Sequence, residues 1–536
     1  MPDLEKLSRE ELIEMAKNYY FENEDLRLQL QVANGKLKQL NHEKYGSKSE
    51  KGIGAEQITL FDEVDEMAVQ AAAEEELEAK REAKGKKRKP RKLTMNELPE
   101  DLPVKQVIHD IKDEIKKEYG ERLIKIGENH HKKLIRVPSH YEIEDHITLQ
   151  YAVKGQPELG VFSAEDKGGF PFPKSPVSAE LLAYLMVQKY QYGVPMNRLI
   201  QGMENEGIHF KSQTVSKWMI DSSEQHLEPI YERMHEKLLE EDIINSDETH
   251  YDIFTGKKDA PEYKKKKKQT YIWMLRSGSQ SERPIIMYKY EEIGRNGDVA
   301  AKFLKGFNGY LETDHYSGYN KVKGVTQCLC NVHARRYMVN LYQRGMTKNP
   351  IVLNTLEIYR EIFRLDQEIH DQYGKEYEKI RIEREKQLRP LFELLFVYLE
   401  TSEPYIMEKS ELHRAVMYII NGKEGLVNFL KDGRLDSHNN HAEQAMKPII
   451  NNRKGSLFFG SEKGATGSCI IASVVQTARQ YHLRTEEYMG YVIEEMSRHP
   501  GISGEAVDYL MPWSENIKEK FGAKIKDKKP EEKGDN

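Results

Sequence analysis

Hydrophobic positions seven apart open the chain: Leu12, Tyr19, Leu26, Ala33 and Leu40 keep that spacing, and Leu30 and Leu37 follow Leu26 and Ala33 by four. This is the seam pattern of a coiled coil, and it predicts a zipper helix filling a first unit, residues 1–45. One amphipathic helix lying on its own protein has the same signature, so both readings stay open. The period lapses over residues 46–110, where an acidic stretch from Glu63 to Glu78 precedes the basic run AKREAKGKKRKPRK at 79–92. Such a composition buries too little apolar surface to order itself and reads as a charged linker. Its basic run is either a solvated face or a nonspecific phosphate contact.

Alternation of period two follows in KKLIRVPSHYEIEDHITLQYAV and predicts a small sheet-containing unit over 111–165. Residues 166–236 read as helices. Within GVPMNRLIQGMENEGIHFKSQTVSKWMIDSS, a helix, a break at Gly207 and a second helix with Ser212 as N-cap outline a helix-turn-helix. Helix pairs joined by glycine are also common in proteins that never touch DNA.

The strand pattern then dominates. EDIINSDETHYDIF (241–254), YIWMLRSG (271–278) and PIIMYKYEE (284–292) are strand candidates, GDVAAKFLKGF (297–307) is helix-like, and GYLETDHYSGYN (309–320) is a strand running into Asp314. VTQCLCNVHARR (325–336) supplies a further strand, with His333 near its end. Three strands, a helix and a strand form the opening of a ribonuclease-H-like fold, in which the first and fourth strands lie side by side. The reach from Arg336 to Asp432 is helical in character, and NNHAEQAMKPIINNRK (439–454) predicts a helix capped by Asn439 or Asn440. The expected architecture is therefore multidomain α+β. Its α/β core runs over 237–340 and 431–495, interrupted by a helical insertion at 341–430 and closed by a tail at 496–536.

Composition narrows the function classes. At 536 residues the chain is long enough for three or four units at roughly 100–200 residues each. A formal net charge of -6 argues against a uniformly cationic coat for nucleic acid, so any such surface is local. No apolar run long enough for a membrane span or a signal peptide occurs, which makes a cytoplasmic protein the expectation. Three cysteines (Cys328, Cys330 and Cys469) do not make a disulfide framework, nor do they alone close a four-ligand zinc site.

The candidate chemistry lies in the carboxylates. Asp247 ends one strand beside Glu248, and Asp314 ends the fourth strand, so neighbouring strands would bring Asp247 and Asp314 together. Paired carboxylates repel unless cations sit between them, which marks a site for hard metal ions. Glu443, on the first turns of a later helix, is the candidate third ligand. An all-oxygen set of this kind suits two Mg2+ ions, with Mn2+ as a substitute, stabilising both the attacking and leaving oxygens of a phosphoryl transfer.

The residues around these acids resemble the IS66 family of insertion-sequence transposases. KYGSKSEK (44–51), QITLFDE (57–63) and LPEDLPVKQVIHD (98–110) are similar to the family's entry segments, and GVPMNRL (193–199) with SQTVSKW (212–218) to its helix-turn-helix region. SDET (246–249), LETDHYSGYN (311–320), CNVHARR (330–336), NNHAEQAMKPIINNRK and LFFGS (457–461) are similar to its catalytic blocks, in the same order.

The resemblance implies a DDE transposase with Asp247, Asp314 and Glu443 as catalytic metal ligands on a ribonuclease-H-like core. It implies DNA, both element ends and target, as the substrate. It also implies a homodimer as the least assembly that pairs two ends, accessory proteins of the same element, and association with the nucleoid during action. Arg453 and Lys454 are candidate phosphate contacts, and Arg336 and His333 are candidates for the surroundings of the site.

Two departures stand out. The family's cysteine-based zinc unit has no counterpart, because residues 111–160 contain no cysteine, so zinc is not expected. His438 stands where the family pattern has aspartate. Two other readings share these residues: a metal-dependent nuclease or resolvase that cuts without joining, and a non-catalytic DNA-binding regulator.

Overall fold

The computed structural model describes residues 140–523 apart from 148, 153–160, 164–169, 173–174, 255–266, 293–294 and 457. The zipper and charged linker predicted for residues 1–110 lie outside the described residues. The chain divides into two compact units, Met1–Ile143 and Glu144–Asn536, and all the described elements belong to the second.

Two short strands, β1 (Gln150–Ala152) and β2 (Val161–Ser163), pair antiparallel within the stretch predicted to hold a small sheet. Four helices follow: α1 (Ala179–Tyr190), α2 (Met196–Asn205), α3 (Ser212–Ser222) and α4 (Glu228–Leu239). Gly207 breaks the chain between α2 and α3 with a φ of 85°, a left-handed conformation that costs glycine little. The helix expected to be capped by Ser212 instead begins at Ser212. Lys211 occupies the cap position and makes no side-chain cap hydrogen bond.

The central sheet comprises β3 (Ile243–Phe254), β4 (Lys267–Ser277), β5 (Ile286–Glu291), β6 (Tyr310–Thr313) and β7 (Thr326–Leu329), with α5 (Gly297–Phe303) between β5 and β6. Strand order is β5-β4-β3-β6-β7, antiparallel across β5-β4-β3 and parallel across β3-β6-β7. The first and fourth strands are therefore neighbours. The strand expected over 325–336 stops at Leu329, and Asn331–Gln343 forms helix α6, which carries His333 and Arg336.

The insertion is helical: α7 (Pro350–Tyr373), α8 (Tyr377–Gln387), α9 (Arg389–Ser402), α10 (Glu411–Asn421) and α11 (Lys423–Val427). These helices bury Tyr359, Ile362, Phe392, Leu395, Leu399, Val416 and Ile419 in a second hydrophobic cluster, which also takes in Ile243 of β3, Cys328 and Leu329 of β7 and Met338 of α6. Each such side chain stabilises by about 1.5–3 kcal/mol, which holds the insertion together and anchors it on the β7 side of the sheet.

The chain returns through α12 (Asn440–Ser456), β8 (Phe458–Phe459), α13 (Glu462–Gln480), α14 (Thr485–Arg498) and α15 (Glu515–Phe521). β8 pairs with the far end of β3, where Phe459 stacks on Tyr251. The segment read as a tail is part of the main core as far as it is described, burying Val507, Leu510, Met511, Ile517 and Phe521.

Both sheet edges are covered, which removes the hazard of open strand backbone. On β5, Tyr288 N donates to Ser473 Oγ (2.8 Å) and Ile286 N to Thr477 Oγ1 (3.0 Å), both hydroxyls coming from α13. On β7, Asn428 Nδ2 donates to the Gln327 carbonyl (2.7 Å).

Candidate active site

The register of the sheet builds the site. Asn245 of β3 lies opposite Glu312 of the parallel β6. Two residues further along each strand come Asp247 and Asp314, on the same face because strand side chains alternate. Asp247 thus lies mid-strand on a continuous ladder with β4, opposite Met274, while Asp314 stands just past the end of β6.

Glu443 reaches the same place on the first turn of α12, whose start is tied to the sheet. Of the two candidate caps, Asn439 and Asn440, the first lies just before the helix. Its carbonyl does accept from Glu443 N (3.2 Å), but its carboxamide is spent on the strand: Nδ2 donates to the Ser246 carbonyl (2.9 Å) and Oδ1 accepts from Asn245 Nδ2 (3.1 Å). Arg276 of β4 donates from Nη1 to the His441 carbonyl (3.0 Å). Beneath the site, Asn245 Nδ2 also donates to the buried Glu312, whose other oxygen accepts from Asp436 N (2.7 Å). Glu443 is therefore placed relative to Asp247 by bonds that tie the start of its helix, at Asn439 and His441, to the backbone of Ser246 and the side chain of Arg276.

Electrostatics give the arrangement its character. Burial, then the charges of Glu248, Asp314 and Glu443, hold the Asp247 carboxyl well above the usual carboxylate range. Glu248 is held high by burial and by Asp314, against the pull of Tyr319 and Arg295. Tyr319 OH donates to Glu248 Oε2 (2.6 Å) and Arg295 Nε to Oε1 (2.7 Å), while Arg295 Nη2 stands 3.5 Å from Asp314 Oδ2. The Arg295 guanidinium lies on the Tyr316 ring, 4.0 Å from its centroid, and Tyr316 OH holds the Arg295 carbonyl (2.7 Å). From α6, His333 Nε2 and Arg336 Nη2 each stand 3.7 Å from Glu443 Oε1. Burial pulls the His333 imidazole down, but Cys330 and Glu443 outweigh it, leaving it at about 9.

Of the residues singled out from sequence, Asp247, Asp314, Glu443, His333 and Arg336 come together. Arg453 and Lys454 lie elsewhere on α12. Arg453 is buried and braces β3, donating from Nη1 to Thr249 Oγ1 (3.0 Å) and to the His250 carbonyl (2.6 Å). Lys454 is exposed. His438 lies ring to ring with His441 at 6.2 Å. Sequence reasoning missed Arg295 and Tyr319, whose positions between elements carry no local signal. Glu248 was visible only as a neighbour of Asp247.

Among the described residues, no three His, Cys, Asp or Glu side chains already converge closely enough to hold a metal ion. The donor set still suits a hard cation. It is all oxygen, it surrounds a buried carboxylate whose charge its neighbours oppose, and a cation would relieve that opposition. Cys328, Cys330 and Cys469 are buried free thiols. Among the described residues no helix is long and apolar enough to cross a membrane.

Three proteins of Sinorhizobium fredii (strain NBRC 101917 / NGR234) are similar along most of their length. Uncharacterized protein y4jD is 26% identical over 78% of this chain and 81% of its own. Uncharacterized proteins y4qI and y4hP are 25% and 24% identical, each over 74% of this chain and 72% of its own. No solved structure matches at a significant level. A family model described as Transposase C of IS166 homeodomain matches residues 34–107, over most of the stretch whose composition reads as a linker. The model described as Transposase IS66 family matches residues 174–467, more than half of the chain and all of the carboxylate site, and the protein belongs to that family.

Proposed function

We propose that this chain is a DDE transposase that cuts and rejoins the DNA of an insertion sequence by metal-dependent phosphoryl transfer. The observation that carries the reading is the shared level of Asp247 and Asp314 on neighbouring parallel strands, with the helix of Glu443 tied to the Ser246 carbonyl. The strand order, with two antiparallel neighbours on one side of β3 and two parallel strands on the other, supports a ribonuclease-H-like core.

Asp247, Asp314 and Glu443 would hold magnesium or manganese, and these ions, when bound, supply Lewis acidity and charge neutralisation at the scissile phosphodiester. The chain's own residues do the rest. Asn439, Asn245 and Arg276 hold the helix of Glu443 in place against the sheet. Arg336 and His333 offer positive charge beside Glu443, and Arg295 offers it beside Asp314. A phosphate entering the site would meet cations on two sides.

The family membership supports DNA as the substrate, and the match of residues 34–107 to a homeodomain-named model supports an N-terminal contribution to binding it. Two copies acting together would pair two element ends, and proteins encoded by the same element are the natural accessory partners.

The test is magnesium-dependent cleavage and joining of labelled element-end DNA by wild type beside Glu443→Gln. Wild type should nick and join while the variant binds DNA and does neither. Cut ends without joined product would make the chain a nuclease. Joining by the variant would remove Glu443 from the reaction.

A further inference from the structure

Helix α6 directs two side chains at the carboxylates and sets a third beside them. Arg336 and Tyr337 follow His333 by three and four residues and so flank it on the next turn of the helix. His333 and Arg336 face Glu443. Tyr337 is 45% exposed.

Its ring is not loose. It leans on Tyr418 of α10, with centroids 4.5 Å apart, and Tyr418 meets the edge of His315 at 4.8 Å. His315 is the residue after Asp314, and its backbone N–H donates to Tyr418 OH (3.3 Å). Three rings thus run outward from Asp314 to solvent. The inner two are held by a hydrogen bond to the backbone of the site and only the outermost is open.

Resting on the DNA-processing reading above, we propose that Tyr337, propped by Tyr418 and His315, is a stacking ledge for one unpaired nucleobase of the DNA strand whose phosphate lies at the carboxylates. Every base has a flat π face, so an aromatic shelf accepts any of the four, and such a contact is tolerant of sequence. The same chemistry explains the arrangement. A strand locally separated from its partner would present a phosphate to Asp247, Asp314 and Glu443 with its neighbouring base free to turn toward α6. A base taken out of its stack loses the contact of its neighbours, which a protein ring can restore. Arg336, one residue away, supplies the positive charge for the adjoining phosphate. Tyr337 touches none of the carboxylates and lies outside the core, so replacing it leaves folding and ligand geometry in place.

The experiment uses the full chain with calcium and two probes of one sequence: a blunt duplex, and a forked duplex with 2-aminopurine as its first unpaired base. Wild type should bind the fork more tightly than the blunt duplex and quench the 2-aminopurine. Tyr337→Ala should lose that preference, by roughly five- to a hundredfold in fork affinity, and leave the probe bright. Tyr337→Phe and Tyr337→Trp should keep both, because the ring and not the hydroxyl is the contact. The ledge is overturned if Tyr337→Ala quenches and binds the fork as wild type does. It is overturned equally if Ala weakens fork and blunt duplex alike, or if Phe fails as badly as Ala. Failure of wild type to bind either probe would overturn the DNA-processing reading and the ledge with it. Fork binding that is indifferent to Tyr337 overturns the ledge alone.

Discussion

Two clusters of charged side chains inside this protein are made from the same residue types and behave differently. In the helical insertion, Arg384 is fully buried and donates from Nε to Asp366 Oδ1 (2.7 Å) and from Nη1 to the Leu435 carbonyl (2.8 Å). Its Nη2 meets His370 Nε2 at 2.6 Å, and its face lies over Phe429. At the carboxylate site, Arg295 is 41% exposed in its side chain and pairs closely only with Glu248, while towards Asp314 and Glu443 the cations stand 3.5–3.7 Å away. A short, enclosed pair cannot exchange partners without leaving a charge buried alone. A loose, half-open set of acids can take in a cation or a phosphate at little cost. Tight pairing thus marks the insertion's cluster as structural, and loose pairing around a buried carboxylate marks the other as the candidate site.

The sharpest way to break this comparison is to neutralise one member of each. Asp247→Asn should lower metal-dependent cleavage and joining by orders of magnitude while gel-shift affinity for DNA stays within a few-fold. Its melting temperature without metal should not fall, and the upward shift that manganese gives wild type should disappear. A variant that unfolds would mean that the site acids are structural after all.

Arg384→Leu should do the opposite, costing about 3–5 kcal/mol in urea unfolding because Asp366 is left buried without its partner. Arg384→Met combined with Asp366→Leu should recover most of that loss. If the single change is nearly neutral, the tight cluster is not what holds the insertion to the segment preceding α12.

A buried group with no charged partner gives an intermediate case. Burial holds the His226 imidazole down at about 4, against a backbone hydrogen bond at Pro171, and the ring lies beside Ser222 and Phe172. Because its folded value lies below its ordinary 6.5, the neutral ring's contribution is complete above that pH and is lost as pH falls toward about 4. Over that window the loss approaches about 1.4 kcal/mol per pH unit, and His226→Gln should flatten the stability curve measured by denaturant titration.

The smallest effect belongs to Arg295→Gln. The side chain is too exposed to matter much for folding, but the plot of log affinity for DNA against log salt should lose about one unit of slope if the guanidinium neutralises a phosphate. An unchanged slope would confine Arg295 to steadying Glu248.

Much of the α/β unit was legible because its signals are local. Alternation over 241–254, 271–278, 284–292 and 309–320 marks segments that are strands, and Gly207 marks a break that only glycine makes cheaply. The helical character of the insertion was equally plain. Boundaries failed where a local pattern was continuous across a change of element: CLCNVHARR reads as extended, yet the strand ends at Leu329 and the helix begins at Asn331. The last described residues, read as a tail, pack into the core because their apolar positions find partners only in the folded chain.

By itself, then, the sequence determined which segments alternate, that Asp314 ends a strand, and the family to which the surroundings of the acids belong, whereas Asp247, read as a strand end, lies mid-strand. Only the tertiary structure decided what those acids face. The register Asn245↔Glu312 carries Asp247 and Asp314 to one level, the Asn439 carboxamide is taken by the Ser246 carbonyl instead of its own helix, and Arg295 settles against Glu248 while Arg453 turns inward to Thr249. The physical reason is range. A strand or a turn is chosen by steric and solvation preferences within a few residues, whereas a buried hydrogen bond or ion pair depends on a partner brought close only when distant segments have packed.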